Sequence, residues 1–83
     1  METTHQRALS KFGETNQHIK MIEECSELIK AISDKLQGNE HNISEEIADV
    51  QIVLNQLKVA YPEWITWEQI KLKRLEEKMG ESR

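Results

Sequence analysis

Six carboxylates in two short stretches carry the chemistry this sequence can offer. Glu23-Glu24-Cys25-Ser26-Glu27-Leu28 and Glu45-Glu46-Ile47-Ala48-Asp49-Val50 repeat one arrangement, a pair of glutamates, two spacers, a third carboxylate and an aliphatic residue. On helices, Glu24/Glu27 and Glu46/Asp49 are i,i+3 pairs on one face, and like charges so spaced weaken a helix unless something positive lies between them. A metal ion would reverse that penalty. Oxygen donors with no His or Cys cluster beside them select a hard cation, Mg²⁺ first and Mn²⁺ next. The structural alternative is an ion pair from each glutamate to a lysine or arginine of another helix. One such pair would favour that alternative, whereas two on consecutive antiparallel helices favour the metal.

The elements that must position these groups are helices. Gly13, Gly38, Gly80 and the single Pro62 divide the chain into helical segments with short joints. The punctuation predicts a short peripheral helix over Thr3 to Phe12 and a second helix from Thr15 to Gln37, with Gly38 at the position that closes it. A third helix follows the loop Gly38-Asn39-Glu40-His41-Asn42, where Asn42 and Glu45 have N-cap and N3 spacing. It ends near Tyr61, because Pro62 disfavours helical geometry in the residue before it. A fourth starts at Thr66, with Thr66 and Gln69 as a capping box and Ile65 and Ile70 as a hydrophobic staple, and runs to Met79. No segment alternates with a strand-like period of two, so the expected fold is all-α, a single domain over residues 1–83.

A helical wheel at about 100° per residue sorts the carboxylates. The second helix has an apolar arc of Met21, Cys25, Leu28, Ile29, Ile32 and Leu36, with Glu24 at its edge beside Leu28 and Ala31 and Glu27 further round. The third has Ile43, Ile47, Val50, Leu54, Leu57 and Tyr61, with Glu46 inside the apolar surface, between Val53 and Leu57, and Asp49 at its margin next to Ala60. Glu23 and Glu45 point to water. The inward set is therefore Glu24, Glu27, Glu46 and Asp49. A glutamate within an apolar stripe is costly unless protonated, paired or bound to a metal. Cys25 reads as a small core residue. Ile52 and Val59 form a second apolar strip on the third helix.

Composition limits the assembly and the partners. With 83 residues of which 37% are apolar, and a mean hydropathy of −0.68, a lone monomer would bury little. The reading is a bundle of three main helices plus a short N-terminal helix, completed as a four-helix bundle by self-association. The net charge of −4 argues against a general nucleic-acid binder, which needs excess Lys and Arg to displace phosphate counterions. No apolar run spans a bilayer, the N-terminus lacks a signal-peptide layout, and the single cysteine excludes an internal disulfide. The expectation is a soluble cytoplasmic protein with no membrane partner.

The ordered pattern resembles a known family. Phe12-Gly13, then Gln17, then Ile22-Glu23-Glu24-x-x-Glu27-Leu28-Ile29-Lys30-Ala31-Ile32, then Glu45-Glu46-Ile47-Ala48-Asp49-Val50, with eighteen residues (28 to 45) between Glu27 and Glu46, look like the signature of MazG-like proteins of the all-α nucleoside triphosphate pyrophosphohydrolase superfamily. The resemblance covers about residues 9 to 79. It implies hydrolysis of an NTP or dNTP between the α and β phosphates, giving the monophosphate and pyrophosphate, in nucleotide-pool housekeeping. Glu24, Glu27, Glu46 and Asp49 would then be the metal-binding and catalytic residues. Glu24, shielded by Leu28 and Ala31, is a candidate general base, and Lys20, one turn earlier, a candidate partner of the acidic cluster. The resemblance further implies a nucleotide pocket near Phe12, Gln17 and His18, phosphate contacts from a Lys/Arg pair in the fourth helix, and a homo-oligomer, a tetramer ahead of a dimer.

In that helix Lys71, Arg74 and Lys78 share a face through 3- and 4-residue spacing, and Lys71 and Arg74 are the chosen pair. The plainer reading is a solvated face neutralised by Glu76 and Glu77. Trp64 and Trp67 read as packing residues at the bundle end. His18 has no acid spaced to orient it, and His5 and His41 have no partners at zinc-ligand spacing. The competing functional reading is a non-catalytic acidic helical module for nucleotide or protein binding or for oligomerisation.

Overall fold

The computed structural model describes residues 2–80. These form α1 (Thr4–Phe12), α2 (Glu14–Leu36), α3 (Ile43–Ala60) and α4 (Trp64–Lys78), with no strand among them. The all-α expectation holds, with boundaries moved by a residue or two at most joints.

Local chemistry explains the joints. Thr3 closes α1 with a reciprocal capping box, its hydroxyl accepting from the Gln6 backbone while the Gln6 side chain accepts from the Thr3 N–H at 2.8 Å. Gly13 is the only residue between α1 and α2, and its φ of +85° explains why a glycine stands there. At the other end of α2, Gly38 at φ +79° donates to the Lys35 carbonyl and the Asn39 N–H reaches the Asp34 carbonyl at 2.9 Å. That pair of bonds satisfies carbonyls the helix end would leave orphaned.

The third and fourth helices begin differently from expectation. Asn42 makes no side-chain cap on α3; its amide goes to Glu46 instead. Helix α4 starts at Trp64, two residues before Thr66, without a side-chain cap hydrogen bond. Lys58 meets its first residue, the ammonium lying 4.1 Å from the centre of the Trp64 ring. Trp67 is exposed rather than packed.

Helices α2 and α3 form an antiparallel hairpin, and α1 packs across α3 and the start of α2. Helix α4 makes no substantial contact with any of them. The described chain measures 43 × 40 × 20 Å with a radius of gyration of 15.9 Å, against about 12 Å for a compact domain of this length.

The core differs from the wheel's forecast. Its buried apolar residues are Ala31 and Val53, and the rest of the buried seam is polar, Gln17, Glu24, Glu46 and Gln56. Most of the apolar arc of α2 faces outward, with Ile29 at 68% and Leu36 at 82% exposure, and Cys25 is exposed rather than a core residue. The hairpin closes on the Gln17–Glu24–Ala31 stripe, which leaves the bulkier stripe without a partner among the described residues.

Candidate metal centre

The hairpin brings both acidic pairs to one place. Glu24, Glu27, Glu46 and Asp49 each offer an oxygen, and these four oxygens lie within 4.8 Å of one another. Glu24 and Glu46 sit deep in the seam at 6% exposure each. Glu27 is exposed and Asp49 half-buried, so they form the mouth.

Each deep carboxylate has one oxygen held and one free. Glu24 Oε1 receives the Lys20 ammonium at 3.2 Å, and Glu46 Oε1 accepts from the Asn42 amide at 2.8 Å. The Oε2 atoms of both glutamates are buried, with no hydrogen-bond partner among the described residues. Buried polar atoms are nearly always paired, and an unpaired carboxylate oxygen is among the costliest exceptions. Two such atoms flanked by two further carboxylates fit a hard cation, which would satisfy both at once.

The electrostatics agree. Burial pushes the Glu46 carboxyl above the ordinary 4.5, and the nearby Glu27 and Asp49 carboxylates push it further the same way; the Asn42 hydrogen bond opposes them. The hydrogen bond and charge of Glu24 hold the Lys20 ammonium above its ordinary value. Lys20 is thus the partner of the cluster that its spacing suggested, and its Nζ also lies 3.9 Å from Glu23.

Other residues singled out from the sequence separate into near and far. Gln17 is buried one heptad before Glu24 and lines a cavity of about 380 Å³ together with Phe12, Asn16, Lys20 and Gln56. Lys71 and Arg74 lie on α4, where with Leu75 and Lys78 they line a groove of their own. The structure does not bring them to the carboxylates. His18 Nδ1 donates to the Glu14 carbonyl at 2.8 Å, so in the neutral ring Nε2 accepts from the Tyr61 hydroxyl at 2.7 Å. Both ring nitrogens are engaged away from the cluster.

Two residues were not recognised from the sequence as parts of this region. Asn42 looked like a cap, although its i,i+4 relation to Glu46 was available as a signal. Gln56 carries one signal in the sequence, its place one heptad after Asp49 on the same stripe.

Comparison with known proteins gives one finding. A sequence model of the MazG nucleotide pyrophosphohydrolase domain matches residues 6–80. No curated protein and no solved structure matches the chain.

Proposed function

The chain belongs to the MazG nucleotide pyrophosphohydrolase family, and from that premise we propose that it is a Mg²⁺-dependent enzyme. It cleaves the α–β phosphoanhydride of an NTP or dNTP to the monophosphate and pyrophosphate, in cytoplasmic nucleotide-pool housekeeping. The observation that carries this reading is the convergence of Glu24, Glu27, Glu46 and Asp49, with the Oε2 atoms of Glu24 and Glu46 buried and unpartnered.

In this reading all four carboxylates hold Mg²⁺, with Mn²⁺ as substitute. When bound, the metal would supply charge neutralisation on the phosphoryl oxygens and orient water for in-line attack. The residues around it do the rest. Asn42 fixes the rotamer of Glu46, and Lys20 holds one oxygen of Glu24 and turns the other inward. Glu24, the general-base candidate, has one oxygen on Lys20 and the other turned to the metal. The role of taking a proton from an attacking water therefore passes to Glu27 or Asp49 at the mouth, whichever leaves an oxygen free of the metal.

Lys71 and Arg74 remain the proposed phosphate contacts, and their distance from the cluster within one chain ties that role to assembly. Homo-oligomerisation, to a tetramer or a dimer, is therefore part of the proposal. The same distance favours the competing reading, a non-catalytic acidic helical module that binds a nucleotide or a protein. Incubation with Mg²⁺ and a panel of NTPs and dNTPs separates the two. Pyrophosphate release supports the enzyme; no release with any nucleotide eliminates it.

A further inference from the structure

Four carboxylates whose oxygens lie within 4.8 Å of one another, two on α2 and two on α3, oppose the closure of the hairpin that gathers them. Little apolar burial resists them, since among the described residues the fully buried apolar side chains are Ala31 and Val53. At one end of the hairpin the short connection over residues 37–42 joins the two helices covalently. At the other end the chain leaves both helices, and there His18 of α2 meets Tyr61, the C-cap residue of α3.

The geometry of that contact is specific. Nδ1 of His18 donates to the Glu14 carbonyl at 2.8 Å, which pins the ring to its own helix. The pinned ring presents Nε2 to the Tyr61 hydroxyl, which donates to it at 2.7 Å. The two rings stand nearly perpendicular, at 79° with centroids 5.7 Å apart. Away from the carboxylates, this is the one side-chain hydrogen bond among the described residues that links α2 to α3 or its cap. His18 is six residues before Glu24, about 9 Å along the same helix.

We infer that His18 and Tyr61 are positioning residues for the metal centre, a clasp at the open end of the hairpin that keeps the α2 and α3 carboxylates at the separation one cation needs. The inference rests on the reading that these carboxylates hold a divalent cation. A cation that draws ligands from two helices binds fully only where the helices are already closed, so its apparent affinity scales with the fraction of chains in that state. Loss of the clasp leaves every ligand in place and lowers that fraction. A nucleotide contact made by His18 would act differently, on substrate affinity and not on the metal.

The test titrates the substrate-free full chain with Mn²⁺ and follows the free ion by electron paramagnetic resonance. Tyr61→Phe, which removes only the hydroxyl, should raise the Mn²⁺ dissociation constant about three- to tenfold, the size of one net hydrogen bond. His18→Leu should do the same, and the double variant should be no worse than either single one. His18→Gln, whose amide can still meet the hydroxyl, should recover most of the loss. Thr3→Ala, which removes the α1 cap, should lower the melting temperature without moving the dissociation constant. With nucleotide present, Tyr61→Phe should need more Mg²⁺ for half-maximal rate and keep the wild-type nucleotide KM at saturating Mg²⁺.

No Mn²⁺ uptake by the wild type would remove the metal reading and the clasp with it. Uptake that Tyr61→Phe leaves unchanged, additive losses in the double variant, or an equal loss in Thr3→Ala would overturn the clasp alone. A raised nucleotide KM in His18→Leu with unchanged Mn²⁺ binding would overturn it too, and would assign His18 to the substrate.

Discussion

Glu46 is the residue in greatest conflict with its surroundings. It is buried, it lies against Glu27 and Asp49, and its one hydrogen-bond donor is Asn42. Its folded carboxyl titrates above the unfolded value of 4.5, so between the two values the folded chain holds a proton that the unfolded chain has released. Stability from this group is full below the unfolded value and is lost as pH rises through the folded one. Metal-free protein should therefore melt at a lower temperature at pH 7 than just above pH 5, and saturating Mg²⁺ should reverse that trend. Calorimetric melts in chelator and in Mg²⁺ check both. Glu46→Gln should raise the metal-free melting temperature by a few degrees, abolish the Mg²⁺-induced shift and abolish pyrophosphate release. A variant that gains stability while losing function separates a metal ligand from a structural ion pair, whose loss would destabilise.

The helices show how far local pattern reaches. Carboxylates at i,i+3 declare their shared face from the sequence alone, and Gly38 and Pro62 mark helix ends through backbone chemistry that acts within a few residues. Which face finds a partner inside the chain is not local. A wheel gives the apolar stripe of α2 but not whether the hairpin closes on it, and here closure on Gln17, Glu24 and Ala31 turns that stripe outward. Gln56 was illegible for the same reason, since its cavity exists only where α1 crosses the hairpin. Asn42 is the intermediate case, a residue with cap spacing whose amide is committed to Glu46 at 2.8 Å. Asn42→Ala should leave helix content by circular dichroism unchanged. It should lower Mg²⁺ affinity or turnover by about 10–100-fold, the usual effect of removing a group that orients a metal ligand.

At the scale of the molecule, the dominant fact is unpartnered apolar surface. Ile22, Cys25, Ile29, Ile32 and Leu36 follow one another at alternating 3- and 4-residue steps, and all are exposed. That spacing is the seam of a helix meant to pack against other helices. Ile47 and Leu54 on α3 and Tyr61 just after it, at 7-residue steps, are likewise exposed. With two fully buried apolar residues among the described residues, a single chain buries little apolar surface to set against its conformational entropy. The proposed assembly would cover this surface, and Cys25, in the middle of the seam, reports on it. Sedimentation should give a mass that is a multiple of 9.7 kDa, with a melting temperature that rises with protein concentration. The Cys25 thiol should react slowly with an aromatic disulfide reagent in the assembly. Ile29→Glu should produce a smaller species in which Cys25 reacts quickly. A monomeric wild-type chain with a freely reactive Cys25 would leave the seam without its partner, and with it the proposed supply of Lys71 and Arg74 across chains.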